Sequence, residues 1–185
     1  MMKSFLRAGV AAMIALGTIS APAFAKTVTV GGAPMFSTKN IVENAVNSKD
    51  HTTLVAAVKA AGLVDTLSSA GPFTVFAPVN AGFAKLPAGT VDTLLKPENK
   101  GLLTKVLTAH VVSGKLSGAT LIKRAKANGG TYNFTAVSGD SLSATIRNGA
   151  LYIIDESGGA SRVTIADVNQ SNGVIHVVNK VLLPK

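Results

Sequence analysis

The sequence predicts an α+β protein in which helices come first and strands follow. Three observations predict it. Apolar residues recur at helical spacing from about Asp50 to Ala127, they recur at a spacing of two beyond Gly130, and Gly, Pro or Asn stands at the breaks between runs. Helices gathered ahead of strands argue against alternating β–α units.

Met1–Ala25 is set apart from that fold. Lys3 and Arg7 precede an uncharged apolar run, Ala8–Ile19, and Ala23-Phe24-Ala25 has the small-x-small form of a cleavage site. The run is too short to span a bilayer, so the segment reads as a secretory signal peptide cleaved after Ala25. Lys26–Lys185, 160 residues, is then sized for one domain. Residues 26–47, with a Val-Thr alternation and a Gly31-Gly32-Ala33-Pro34 break, read as an extended N-terminal arm, and 48–185 as a single domain.

Within that domain Leu54, Val55, Val58, Ala61 and Leu63 mark one helical face, with Asp50 or Thr52 to cap it and Gly62 to stop it. His51 is placed at the surface. A short helix at Val64–Ser68 leads into Phe73–Ala77, a strand with Phe73, Val75 and Ala77 on one face and Thr74 and Phe76 on the other. Pro78 ends that strand, and Asn80 is positioned to cap a short helix carrying Phe83 and Leu86 inward. Thr90 starts another turn. Pro97 opens a longer helix whose stripe is Leu102, Leu103, Val106 and Leu107, and Ser117 caps Ala119–Ala127 before Gly129-Gly130. The strands expected next are Tyr132–Val137, Leu142–Arg147, Leu151–Asp155, Arg162–Val168 and Val174–Leu183. Asn148-Gly149 sits where a tight hairpin needs it.

Catalytic constellations are not found. Gly139-Asp140-Ser141-Leu142 has the spelling of a serine-esterase nucleophile string, but that chemistry needs an Asp-x-x-His spacing that the chain lacks, and Gly-Asp between strands is turn chemistry. His51, His110 and His176 do not fall at i, i+3 or i, i+4 from one another, and there is no cysteine, so no metal-ligand spacing arises. His110 and His176 lie in apolar surroundings and read as core histidines. No cofactor is expected, and the protein is read as a non-enzyme.

Charge points to partners instead. Without Lys3 and Arg7 there are 16 basic residues against 9 acidic ones, a net +7, and Lys96–Arg147 alone holds eight bases against Glu98 and Asp140. Such a surface attracts anionic polysaccharide or lipid headgroups. Nucleic acid is excluded as a partner by the export signal and by the lack of aromatics interleaved with the bases. No second run is long and apolar enough for a transmembrane anchor.

Three segments resemble the fasciclin-domain family. Thr74–Phe83 (TVFAPVNAGF) looks like its first signature, Asn172–Pro184 (NGVIHVVNKVLLP) like its closing one, and Leu107–Leu116 (LTAHVVSGKL) like its tyrosine–histidine segment, with Ala109 in place of the tyrosine. The resemblance implies a wedge-like β-sandwich flanked by short helices, in a secreted or periplasmic module that works in adhesion at the cell envelope or in extracellular matrix. It carries receptor contacts over to Asp167-Val168 and, in part, to His110. Beside these, Lys123, Arg124 and Lys126 form the candidate partner-binding set. A carrier or sensor of a small apolar ligand is the alternative function.

Overall fold

A strand that is apolar on both sides must be covered on both sides, and two such strands lie at the centre of this molecule. In the computed structural model, which describes residues 27–185, the chain forms β1 (Val28–Val30), β2 (Ala33–Met35), α1 (Ile41–Ala45), a 3-10 turn at Lys49–His51, α2 (Thr52–Ala61), α3 (Val64–Ser68), β3 (Phe73–Pro78), α4 (Asn80–Phe83) and α5 (Thr90–Leu94). A second 3-10 turn at Pro97–Asn99 leads to α6 (Lys100–Thr108), β4 (Val111–Ser113), α7 (Gly118–Ala127), β5 (Thr131–Thr135), β6 (Ser141–Arg147), β7 (Ala150–Ile154), β8 (Ala160–Gln170) and β9 (Gly173–Val178). The expected signal peptide lies outside the described residues.

Among the described residues seven strands form one sheet, ordered β4-β3-β9-β8-β7-β6-β5, while β1 and β2 make a separate hairpin. β3 and β9 run parallel, and the other pairings are antiparallel. The parallel pair separates two cores, as its continuous apolar character requires. Val75, Ala77, Ile175 and Val177 face a large core closed by Leu54, Val58, Leu67, Leu103 and Leu107 from the helices. Phe76 and Val178 face a second core with Leu121 of α7 and Leu142 and Ile153 of the curled end of the sheet. Gly173 permits the pair to start side by side: a Cβ there would lie 2.1 Å from the Phe73 carbonyl oxygen.

The strand order alone understates the curl. Phe76 of β3 and Phe134 of β5, five places apart in that order, have ring centroids 6.0 Å apart. β8 makes the bend: Ala160–Arg162 pair with β7, Val163–Gln170 pair with β9, and the register slips between Val163 and Ile165 and again between Ile165 and Val168. Bulges of this kind sharpen strand twist and fold a sheet over its own face.

Several expectations are corrected. Residues 27–47 are not an extended arm: Val30, Ala33, Met35 and Ile41 are buried in the large core, brought there by the β1–β2 hairpin and α1. Leu102 is 53% exposed, because the buried stripe of α6 is Leu103, Val106 and Leu107 and its neighbour points about 100° away. β9 stops at Val178. There the Asn179 carboxamide accepts from the Arg162 amide (2.9 Å), and the chain turns to send Val181 into one core and Leu182 into the other.

Asn80 caps a different helix from the one expected. It is the first residue of α4, whose N-cap is Val79, and its side chain reaches across to α2. Its Oδ1 accepts from the Thr53 amide (3.0 Å) and its Nδ2 donates to the Lys49 carbonyl (2.8 Å). α2 has no side-chain cap of its own, so Asn80 supplies one from 27 residues away. Asn172 serves likewise, accepting from the Ile41 amide at the start of α1 (3.0 Å) and donating to the carbonyls of Leu67 (2.8 Å) and Ser69 (2.9 Å) at the end of α3.

All three histidines are buried, His51 included, against the surface expectation. Its ring lies between the Ser48 hydroxyl (2.9 Å) and the Ala77 carbonyl (3.4 Å), which draws it under β3. His110 donates from Nδ1 to the Val106 carbonyl (2.7 Å) and accepts at Nε2 from the Leu182 amide (2.8 Å). His176 has the opposite tautomer, donating from Nε2 to the Leu116 carbonyl (2.7 Å) and accepting at Nδ1 from the Asp167 amide (3.2 Å). Each of these two is a neutral imidazole that bridges two backbones, and burial lowers the pKa of all three, that of His110 to about 4.

Two consequences are measurable. Asn80→Ala should cost about 0.5–2 kcal/mol, as lost caps do, and loosen amide exchange first at Thr53 in α2. An unchanged melting temperature, or loosening confined to α4, would contradict the cross-chain cap. For His110, the unfolded chain takes up its proton near pH 6.5 while the folded chain resists until about 4. Its contribution is therefore complete above pH 6.5 and is lost as pH falls from there toward 4, a loss on the order of 3 kcal/mol at 1.4 kcal/mol per unit. Urea midpoints measured between pH 7.5 and 4.5 should fall more steeply for the wild type than for His110→Gln; parallel curves would reject this role.

Candidate interaction surface

Helix α7 carries the most concentrated basic group. Its N-terminus is fixed twice: the Ser117 hydroxyl accepts from the Thr120 amide (3.1 Å), and the Asp167 carboxylate accepts from the Gly118 amide (2.8 Å). Leu121 and Ala125 are buried against the curled sheet, which leaves Lys123, Arg124 and Lys126 exposed. Arg124 is held in place, its Nη1 donating to the Tyr132 hydroxyl (2.5 Å) with the guanidinium 5.1 Å from the ring centre. Arg124 and Lys126 sit in the last turn, where the helix dipole favours cations.

The other carried-over residues do not share that surface. Val168 and His110 are 1% and 2% exposed, in contact with core atoms and unable to meet a partner without opening the fold. Asp167 is half-buried, sits in the left-handed region (φ 58°) at the bulge of β8, and spends its carboxylate on α7. The geometry gives these three residues structural work.

Acidic side chains elsewhere follow the same pattern. Asp155 accepts from the amides of Gly159 (2.7 Å) and Leu183 (3.0 Å). Asp140 accepts from the Ser138 hydroxyl (2.5 Å) and lies 3.7 Å from Lys105, the single ion pair among the described residues. Three of the four acids after residue 115 are thus turned onto the protein's own backbone and hydroxyls, while Lys115, Lys123, Arg124, Lys126, Arg147 and Arg162 are all exposed. The outer surface is more basic than the net charge conveys.

The esterase-like string is a connection between strands. Gly139 has φ 91°, the Ala136 amide donates to the Asp140 carbonyl (2.9 Å), and Ser141 opens β6 exposed, while each histidine is occupied by groups elsewhere. Beneath the helices lies an apolar cavity of about 40 Å³ lined by Val58, Leu67, Val75, Leu107, His110 and Ile175. Sites for drug-sized ligands run to about 300 Å³ and more, so this space does not hold a lipid as it stands.

Comparison with known proteins accords with this architecture. The family model for the fasciclin domain matches residues 49–184. Protein sll1483 of Synechocystis is 45% identical over 159 residues, covering 86% of this chain and 81% of its own length. Immunogenic protein MPB70 of Mycobacterium bovis is 33% identical over 200 residues, covering 98% and 94%. Pig transforming growth factor-beta-induced protein ig-h3 is 35% identical over 136 residues, 71% of this chain and 17% of that protein. A solved FAS1 domain pair from the insect cell adhesion molecule Fasciclin I superposes with a TM-score of 0.69 at 20% identity, covering 78% of this chain and 51% of that one, a likeness of fold. With both signature segments forming the central parallel pair, and a family match over nearly all of the described residues, this chain belongs to the fasciclin-domain family.

Proposed function

We propose that the protein is a secreted or periplasmic, non-enzymatic interaction module of the cell envelope or extracellular matrix, which engages anionic polymers through its basic surface. The observation that carries this reading is the division of charge. Three of the four acids after residue 115 are taken up by internal hydrogen bonds, and the bases around them are exposed on the outside. Membership of a family represented in a cell adhesion molecule supports it. Among the described residues no helix is long and apolar enough to cross a membrane.

Surface charges act over a Debye length that shrinks from about 30 Å at low salt to about 8 Å at physiological ionic strength, so binding of this kind must weaken with salt. Lys123→Gln, Arg124→Gln and Lys126→Gln together should raise the dissociation constant for a polyuronate by about tenfold, the sum of three modest surface contacts, and flatten its salt dependence. Unaltered affinity and salt response in the folded triple variant would remove α7 from the contact surface.

A further inference from the structure

The curled end of the sheet has a second face that α7 does not cover. Strand register places Asn133, Ser143 and Ile154 in one row, and Thr145, Tyr152 and Arg162 in the next, on the side opposite the buried Leu142, Ala144, Leu151 and Ile153. None of these six is buried, and Arg162 is exposed. Arg147, two positions beyond Thr145 on the same face, is exposed and holds its guanidinium 5.9 Å from the centre of the Tyr152 ring. β5, β6 and β7 contain no acid at all, and the one acid of β8, Asp167, is bonded to α7. At about 4.8 Å per strand the platform is about 14 Å wide from β5 to β8.

We infer that this outer face of β5–β8 is a binding platform for an anionic polysaccharide, with Tyr152 as its stacking ring and Arg147 and Arg162 as its charge contacts. A sugar ring presents a C–H face that suits an aromatic side chain, and its hydroxyls match the short polar groups of Asn133, Ser143 and Thr145. Uronate or sulfate groups along the chain match the two guanidinium forks. A bilayer surface is a poorer fit, because the large aliphatic residue of the face, Ile154, is only partly exposed and leaves little to insert. A single half-exposed ring likewise does not make the stacked ladder that single-stranded nucleic acid uses. The inference rests on the polyanion reading above and adds a contact surface on the other side of the sheet from α7.

The test measures wild type, Arg147→Gln/Arg162→Gln, Tyr152→Ala and the α7 triple variant against oligogalacturonate, a neutral glucan oligomer and vesicles of anionic phospholipid. Circular dichroism establishes that each variant is folded. The two sheet variants should each bind oligogalacturonate about tenfold more weakly, the effect of losing two surface charges or one stacked ring with its flanking cation, although α7 is intact in both. The chain has two tyrosines and no tryptophan, so its tyrosine emission should change on adding oligogalacturonate and lose that change in Tyr152→Phe, which keeps the ring. Full affinity in both sheet variants, with loss in the α7 variant, overturns the platform and leaves the α7 reading standing. Binding to vesicles but not to oligogalacturonate overturns it in favour of a lipid surface, and equal binding of the neutral glucan overturns the charge contacts. No binding of any polyanion by the folded wild type overturns both readings.

Discussion

The parallel pair of β3 and β9 is the constraint on which the rest of the structure depends. From Thr74 onward on β3 and throughout β9 the strands are buried, so they stand between two cores with their polar side chains withdrawn from solvent. Every hydrogen-bonding group introduced there must find a protein partner, since an unsatisfied one costs about 1–3 kcal/mol. The polar residues of the pair meet that demand. Thr74 accepts from the Leu116 amide and donates to the Gly114 carbonyl, and His176 bridges Leu116 to Asp167 while stacking 5.6 Å from Phe76. No buried side-chain nitrogen or oxygen among the described residues lacks a partner.

The same two segments organise the helices. α1, α3 and α4 are four or five residues long, too short to be stable alone, and α2 lacks its own cap. Asn80, just past β3, and Asn172, just before β9, supply the missing partners to α2, α1 and α3. Asp167 does this for α7. Helix and sheet are thereby joined by side chains whose sequence positions lie up to 131 residues from the ends that they cap.

Local chemistry was legible in the sequence, and long-range pairing was not. Val64–Ser68 and the Ser117 cap fall where the pattern placed them, and Asn148-Gly149 makes its hairpin with φ of 51° and 75°, the conformation that selects those residues. The two faces of β3 were readable because a strand alternates by geometry alone. Asn80 reads as a cap of its own helix because proximity is all that a sequence offers, whereas its partners at Thr53 and Lys49 are set by the packing of α4 on the start of α2. The burial of His51 and of the hairpin at residues 28–35 is hidden from the sequence for the same reason, since it depends on what folds over them. At the surface, Lys123, Arg124 and Lys126 were legible as a basic cluster by their closeness in sequence, and the structure shows them exposed. The Arg147–Tyr152–Arg162 arrangement needs the cross-strand register, although the absence of acids from Thr131 to Ile154, Asp140 apart, was already in the sequence.

This division also accounts for how a stable scaffold can expose so much positive charge. Eighteen bases against nine acids leave an excess of positive charge that repels itself in any compact state, and solvent-exposed ion pairs relieve such strain by only about 0–1 kcal/mol each. Here the acids after residue 115 do more for stability as caps than they would as surface partners, because a carboxylate accepting a backbone amide that is otherwise orphaned removes a desolvation cost as well as adding a charge-assisted bond. Asp155 does so twice, fastening the β7–β8 turn to the C-terminal tail. Stability and surface charge thus draw on different residues. A substitution of Asp155 or Asp167 would act through the fold and one of Lys123 through the surface, and the two kinds of effect are separable by experiment because these side chains do not share a task.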